Sequence, residues 1–286
     1  MARVGTHDID AVSVGGIETC IELPGWDLAF DIGRCPLTAI RRSRLLLTHT
    51  HMDHASGLAY HAAQRDLFRM PPPTYYVPEP NLVDLGVMLD AWRRLDRSEL
   101  PCTLVPVAIG ERFELGPGRA GRAFRSPHRV WCQGYALSSV HQKLKASLAG
   151  QGAEVIRACR ERGEPVTEAV EVIDVAFTGD ATIEILDVSP VVRTARLLII
   201  EVTFFDDDVP PPVAKKKGHV HIQDLADRAA DLENEHVLLT HASARYSPAR
   251  IRARVDAVLP EALRARVQLL SDLSPPLLPS RKRGRG

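Results

Sequence analysis

The stretch that most constrains this chain is RLLLTHTHMDH, Arg44 to His54, where a short apolar run empties directly into three histidines and an aspartate. Such a run reads as a buried strand. Imidazoles and a carboxylate packed at that density are costly to bury unless they share a ligand. In extended chain, residues i and i+2 point to the same side, so His49 and His51 can converge on one ion. Asp53 and His54 follow after the chain turns toward a helix, which aims them differently. One stretch thus offers donors to two neighbouring positions. Imidazole with carboxylate suits Zn2+, with Mn2+ or Fe as alternatives, and is richer in nitrogen than a typical Mg2+ or Ca2+ site.

Two ions need more donors than four residues give, and the second half of the chain repeats the pattern. VIDVAFTGD, RLLIIEVTF and EHVLLTH are apolar runs that each end on or near a His, Asp or Glu. Together with SPHRVWCQGY they add His128, Asp180 and His241 as candidate ligands. An aspartate can bridge two metals, leaving one histidine to complete each side. Alone, His128 reads as an ordinary histidine and Asp180, after Gly179, as a turn residue. The density at 49–54 brings them in.

TCIELPG and LAFDIG read as hairpin strands. ASGLAYHAAQRDLF continues as a helix with Leu58, Ala62 and Leu67 on one face. In EPNLVDLGVMLDAWRRL, residues Leu82, Leu85, Met88, Leu89 and Trp92 predict a core-facing helix. Ser247 and Pro248 start another, with Pro260 after its end. Strands followed by helix–strand alternation, twice over, predict an α/β chain folded as an αββα four-layer sandwich. The expected organisation is one domain over 1–273 and a basic, disordered tail at 274–286.

Composition excludes some classes. Lys+Arg and Asp+Glu both total 36, so no global charge draws the chain to nucleic acid or membrane, and polyanion binding must come from a local patch. The N-terminus lacks a signal-type apolar region, and no apolar run approaches the ~20 residues of a membrane span. The five cysteines form no CxxC and read as reduced thiols of a cytoplasmic protein.

The chain resembles the metallo-β-lactamase superfamily, through THTHMDH and the upstream FDIG, and within it the ribonuclease Z (tRNase Z) branch. The branch signals are HRVWCQGY, FTGD, IIEVTF, KGHVHIQDLADRA and THASARY, in the family's order. The resemblance implies two Zn2+, one held by His49, His51 and His128, the other by Asp53, His54 and His241, with Asp180 bridging. It implies a hydroxide bridging the ions as nucleophile and Asp53 as proton acceptor. His219, supported by Glu201, would be the proton donor to the leaving oxygen. Lys215 to Lys217 would place ammonium groups near the cleavage point. His221, two residues from His219, reads as a second acid candidate or as a residue with a local polar role at a helix N-terminus, and His7, His61, His141 and His236 as structural or surface groups.

The implied substrate is RNA, the 3′ trailer of tRNA precursors, with no membrane partner and a homodimeric state usual in the family. The interval from Tyr135 to Asp180, where bacterial members carry a tRNA-gripping arm, has no Gly-Pro pair and reads as short for a full arm. Two alternatives stand beside this reading. One is hydrolysis of a small phosphodiester or ester, although carboxyl-ester chemistry would not need the His219–Glu201 pair. The other is a non-catalytic RNA-binding scaffold, which the complete ligand set disfavours. An oxygen-reducing di-iron role is disfavoured by His51, where such relatives carry glutamate.

Overall fold

Alternation within the apolar runs decides the layering. In the computed structural model, which describes residues 1–273, the first half of the chain forms a sheet of seven strands laid side by side in chain order. They are β1 (Ala2–Val4), β2 (His7–Val14), β3 (Glu18–Leu23), β4 (Leu28–Phe30), β5 (Arg44–Leu46), β6 (Thr74–Pro78) and β7 (Thr103–Val107). The second half forms a second seven-stranded sheet from β8 (Arg112–Gly116), β9 (Arg119–Ser126), β10 (Cys132–Leu144), β11 (Thr167–Phe177), β12 (Leu197–Glu201), β13 (His236–Thr240) and β14 (Val267–Leu269). Each sheet begins antiparallel and ends parallel, from β4 to β7 in the first and from β11 to β14 in the second.

Because side chains alternate across a strand, each parallel strand feeds two cores. Leu46 faces the second sheet and joins Phe30, Tyr135, Phe177, Leu197 and Ile199 between the sheets. Leu45 and Leu47 face outward and pack with Leu58, Ala62, Leu85 and Leu89 of the helices Leu58–Leu67 and Leu82–Asp96. On the other side Leu198 and Ile200 pack outward with Leu225, Ile251 and Val255 from the helices Ile222–Asp227 and Pro248–Val258. Burying a Leu or Ile side chain stabilises by roughly 1.5–3 kcal/mol, so strands buried on both faces anchor the αββα sandwich. Ser247 caps its helix as expected, its hydroxyl accepting from Arg250 N at 3.3 Å.

Two core expectations fail. Leu67 is 69 % exposed and Trp92 is 50 % exposed. Leu67 lies nine positions from Leu58, about two and a half turns at 3.6 residues each, and so emerges on the opposite face. Trp92 lies seven positions from Leu85, within about 20° of it around the helix axis, so its exposure is not explained by its place on the stripe that Leu85 and Leu89 centre.

The interval from Tyr135 to Asp180 is built as a ribbon. The pairing of β10 with β9 stops at Ser139, whereas its pairing with β11 continues to Leu144 opposite Thr167. The helix Ala153–Glu161 lies within the connection between the two strands. The five cysteines are free, and among the described residues no helix is long and apolar enough to cross a membrane. The expected basic tail lies outside the described residues.

Candidate metal centre

Parallel strands present their C-terminal ends along one edge, and loops leaving that edge form a crevice. Here β5 delivers His49, His51, Asp53 and His54, β11 delivers Asp180, β12 ends on Glu201, and β13 delivers His241. His128 comes from the β9–β10 connection. All seven sequence-selected ligands meet, as His49, His51, His128 and Asp180 in one group and Asp53, His54 and His241 in another, with the donor atoms of each group within 4.8 Å of one another.

The hydrogen bonds behind the imidazoles fix their tautomers. Thr48 Oγ1 donates to Asp31 Oδ2 at 2.8 Å, so it can only accept from His49 Nδ1 at 3.0 Å. His54 Nδ1 donates to the same Asp31 oxygen at 2.8 Å. His128 Nδ1 donates to the Gly218 carbonyl at 2.8 Å. Thr203 Oγ1 donates to Glu201 Oε2 at 2.7 Å and therefore accepts from His241 Nδ1 at 2.9 Å. In its neutral form each of these four rings is left with a bare Nε2 lone pair, the arrangement that outer partners impose on metal-ligating histidines.

Those lone pairs point at one another. His49 Nε2 lies 3.0 Å from His51 Nδ1, His128 Nε2 lies 3.4 Å from the same atom, and His54 Nε2 lies 3.4 Å from His241 Nε2. Asp180 stands between the groups. Its Oδ1 is 3.4 Å from both His54 Nε2 and His241 Nε2, while its Oδ2 faces His49 Nε2 at 3.8 Å and His128 Nε2 at 4.0 Å. Asp53 Oδ2 completes the second group, 3.5 Å from His241 Nε2 and 3.7 Å from His54 Nε2. Asp180 Oδ1 is buried and accepts no hydrogen bond. An orphaned carboxylate oxygen facing convergent nitrogen lone pairs is unfavourable as it stands and fits a cation.

Protons and cations compete for this cluster. Burial pulls the His54 imidazole down, but Asp180, Asp31 and Asp53 more than reverse that and raise it to about 9. Burial pushes the Asp180 carboxyl up, yet His241, His54 and His49 outweigh it and hold it well below the usual carboxylate range. Burial likewise pushes the Asp53 carboxyl up, but His241 and His54 outweigh it and hold it below the usual carboxylate range. His49, buried with fewer carboxylates around it, is driven well below the ordinary histidine value, first by burial and then by the charge of His54. Metal loading must therefore displace protons, and affinity falls as pH falls.

His219 stands beside both groups. The helix Pro211–Lys217 ends at Gly218, and the next residue turns its Nδ1 to donate to Glu201 Oε1 at 2.9 Å. Glu201 is buried, and the same oxygen accepts from Ala181 N at 3.2 Å. With Nδ1 committed, Nε2 is the nitrogen available to a ligand. Lys215 pairs with Glu184, so only Lys216 and Lys217 of the basic run have no ion pair among the described residues. His221 caps the helix Ile222–Asp227 through its ring, as expected of a local polar role. His61 is structural, bonded to Tyr75 and the Ala39 carbonyl.

The sequence reading passed over one element, the β2–β3 turn. Gly16 N donates to Asp53 Oδ2 at 2.8 Å, and Ser13 Oγ accepts from His241 N at 3.1 Å. His241 adopts a left-handed backbone with φ 62°, a conformation costly for a non-glycine residue. Gly15 lies against it, so close that a Cβ there would stand 3.0 Å from the His241 carbonyl oxygen. Nothing in SVGG signals this role beyond a turn. Thr48, Asp31 and Thr203 were also not selected, although Asp31 and Thr203 lie in the FDIG and IIEVTF motifs.

Two sheets with a carboxylate-bridged pair of histidine groups at their shared edge define a metallo-β-lactamase-fold hydrolase, and the family model described as beta-lactamase superfamily domain matches residues 24–242. Among similar proteins, tRNase Z TRZ1 of Arabidopsis thaliana is 38% identical over 271 residues, 94% of this chain and 96% of that protein. The chloroplastic tRNase Z TRZ2 of the same plant is 36% identical over 252 residues, 87% of this chain and 71% of that protein. The chain belongs to the tRNase Z family of this superfamily. The crystal structure of human tRNase Z, short form, shares the fold with a TM-score of 0.60 at 18% identity, covering 91% of this chain and 95% of the human one.

Proposed function

We propose that this protein is a binuclear metal-dependent endoribonuclease that hydrolyses a phosphodiester at the 3′ side of tRNA precursors. The observation that carries the reading is the His219–Glu201 pair set against the two histidine groups. A buried carboxylate holding an imidazole beside a metal cluster equips the site to protonate an alkoxide leaving group, which a carboxyl ester does not demand. The tRNase Z names of its relatives support RNA as the substrate.

His49, His51 and His128 would hold one ion, Asp53, His54 and His241 the other, and Asp180 both; Zn2+ is the ion this donor set favours. Bound there, a pair of cations lowers the pKa of coordinated water toward ~7 and stabilises charge on a phosphoryl centre. The chain's own residues do the rest. Asp53, its Oδ2 steadied by Gly16 N, is the proton acceptor. His219 delivers its proton from Nε2 while Glu201 keeps Nδ1 protonated.

The test is a side-by-side assay of a 3′-extended tRNA precursor and a chromogenic aryl phosphodiester. Cleavage of the precursor at its 3′ trailer is the expected result; turnover of the aryl ester alone would transfer the assignment to a small phosphodiester. A homodimer belongs to the same reading. The helix Leu82–Asp96 offers Val83, Val87 and Leu95, exposed 74 %, 61 % and 75 %, and sedimentation velocity should return a two-chain mass. A cytoplasmic location is proposed on the unpaired cysteines, four of them buried, and cell fractionation reads it directly.

A further inference from the structure

The loop that carries His128 also carries Trp131, which is 41 % exposed. The loop is held at both ends. Thr182 N donates to the Pro127 carbonyl at 2.8 Å, and Gln133 N donates to Thr48 O at 3.0 Å. Trp131 is therefore displayed on a tethered segment, three residues from a metal ligand, which limits their Cα separation to at most about 11 Å.

One face of the indole is already taken. The Arg125 guanidinium carbon lies 4.6 Å from the ring centroid, and Arg125 Nη1 donates to the Cys132 carbonyl at 2.7 Å, which fixes the cation in place. The exposure of Trp131 is thus carried by the opposite face and the ring edge. Between Trp131 and His128 lies Arg129, exposed, its Cγ only 3.1 Å from where a Cβ on Gly218 would stand. Lys217 is the residue before Gly218 and is also exposed. Neither Arg129 nor Lys217 has a hydrogen-bonded or ionic side-chain partner among the described residues.

We propose that Trp131, Arg129 and Lys217 form a nucleotide subsite at the rim of the metal centre, with Trp131 stacking on one base of the RNA and the two cations meeting the adjoining phosphates. Stacking is indifferent to base identity because every base has a π-face, so the subsite orders the strand near the scissile bond without reading sequence. The two cations add salt-dependent affinity. The inference rests on the phosphodiesterase reading for its substrate class, but its readout is binding.

Kinetics of W131A and W131F on a 3′-extended tRNA precursor, together with tryptophan fluorescence of wild type and W131F titrated with a short single-stranded RNA, test it. W131A should raise KM for the precursor roughly 5- to 150-fold, the span of one lost base stack, with a smaller change in kcat. W131F should recover part of that loss. R129Q and K217Q should each weaken RNA binding and reduce its salt slope by about one. The RNA should quench wild-type fluorescence more than that of W131F. Equal quenching in the two proteins, or an unchanged KM in W131A, overturns the subsite. If the wild type leaves the precursor intact while cleaving an aryl phosphodiester, the substrate assignment fails, and the fluorescence titration still decides the subsite.

Discussion

Replacing His219 with alanine is expected to lower kcat on a tRNA precursor by about 10²- to 10⁴-fold, the range over which a positioned general acid acts. An aryl phosphodiester with a good leaving group should lose much less, because its phenolate departs without protonation. Equal losses on both substrates would remove His219 from the donor role. The same assignment predicts the pH dependence. Burial pulls the His219 imidazole down, but the Glu201 charge and hydrogen bond, with Asp180, raise it to about 9. The donor form is the protonated one, so turnover on poor leaving groups should decline as pH rises through the His219 pKa. In E201Q the principal raising influence is gone, so the alkaline limb should move to lower pH. A limb that stays in place would assign it to another group.

The second large effect concerns Asp180. D180N keeps the shape of the side chain but removes the charge shared by two groups of histidine lone pairs, and one of its carboxylate oxygens has no protein donor to fall back on. Both ions should bind more weakly, with activity falling about 10³-fold or more, the equivalent of several kcal/mol of charge stabilisation. The decisive readout is metal titration and the thermal shift on metal addition, which for a site filled at 100 times its Kd corresponds to about 2.7 kcal/mol. S13A grades the result. It strips the acceptor from the His241 backbone N–H, so affinity at the Asp53–His54–His241 group should fall about 10- to 100-fold, as for other outer partners of metal ligands. The His49–His51–His128 group should keep its ion. Unchanged stoichiometry and affinity in D180N would argue against the bridging role, and loss of both ions in S13A would mean the turn supports the whole centre.

The candidate ligand set was legible in the sequence because its core is local. His49 and His51 are two apart in extended chain, and the turn at Met52 redirects Asp53 and His54, so the partition into two groups follows from backbone periodicity alone. His128, Asp180 and His241 sit where apolar runs meet polar loops, but His128 and Asp180 are ambiguous alone and enter only through the density at 49–54. The exposed Leu67 shows the limit of the same reasoning, because apolar residues at only approximate helical spacing drift off the buried stripe.

Hydrophobic patterning and motif density therefore predict the αββα sandwich and select the seven residues that meet in the cluster, while the family resemblance supplies the pairing of His219 with Glu201. How those residues are held depends on the packing of the two sheets. Which Asp180 oxygen faces which group, the Thr48–Asp31 and Thr203–Glu201 hydrogen bonds that set each histidine's tautomer, and the Ser13–His241 contact across 228 residues depend on how the two sheets stack. Hydrophobic periodicity specifies which face of a strand is buried. It carries no information about the angle and offset at which two buried faces meet, and those fix contacts between loops far apart in the chain.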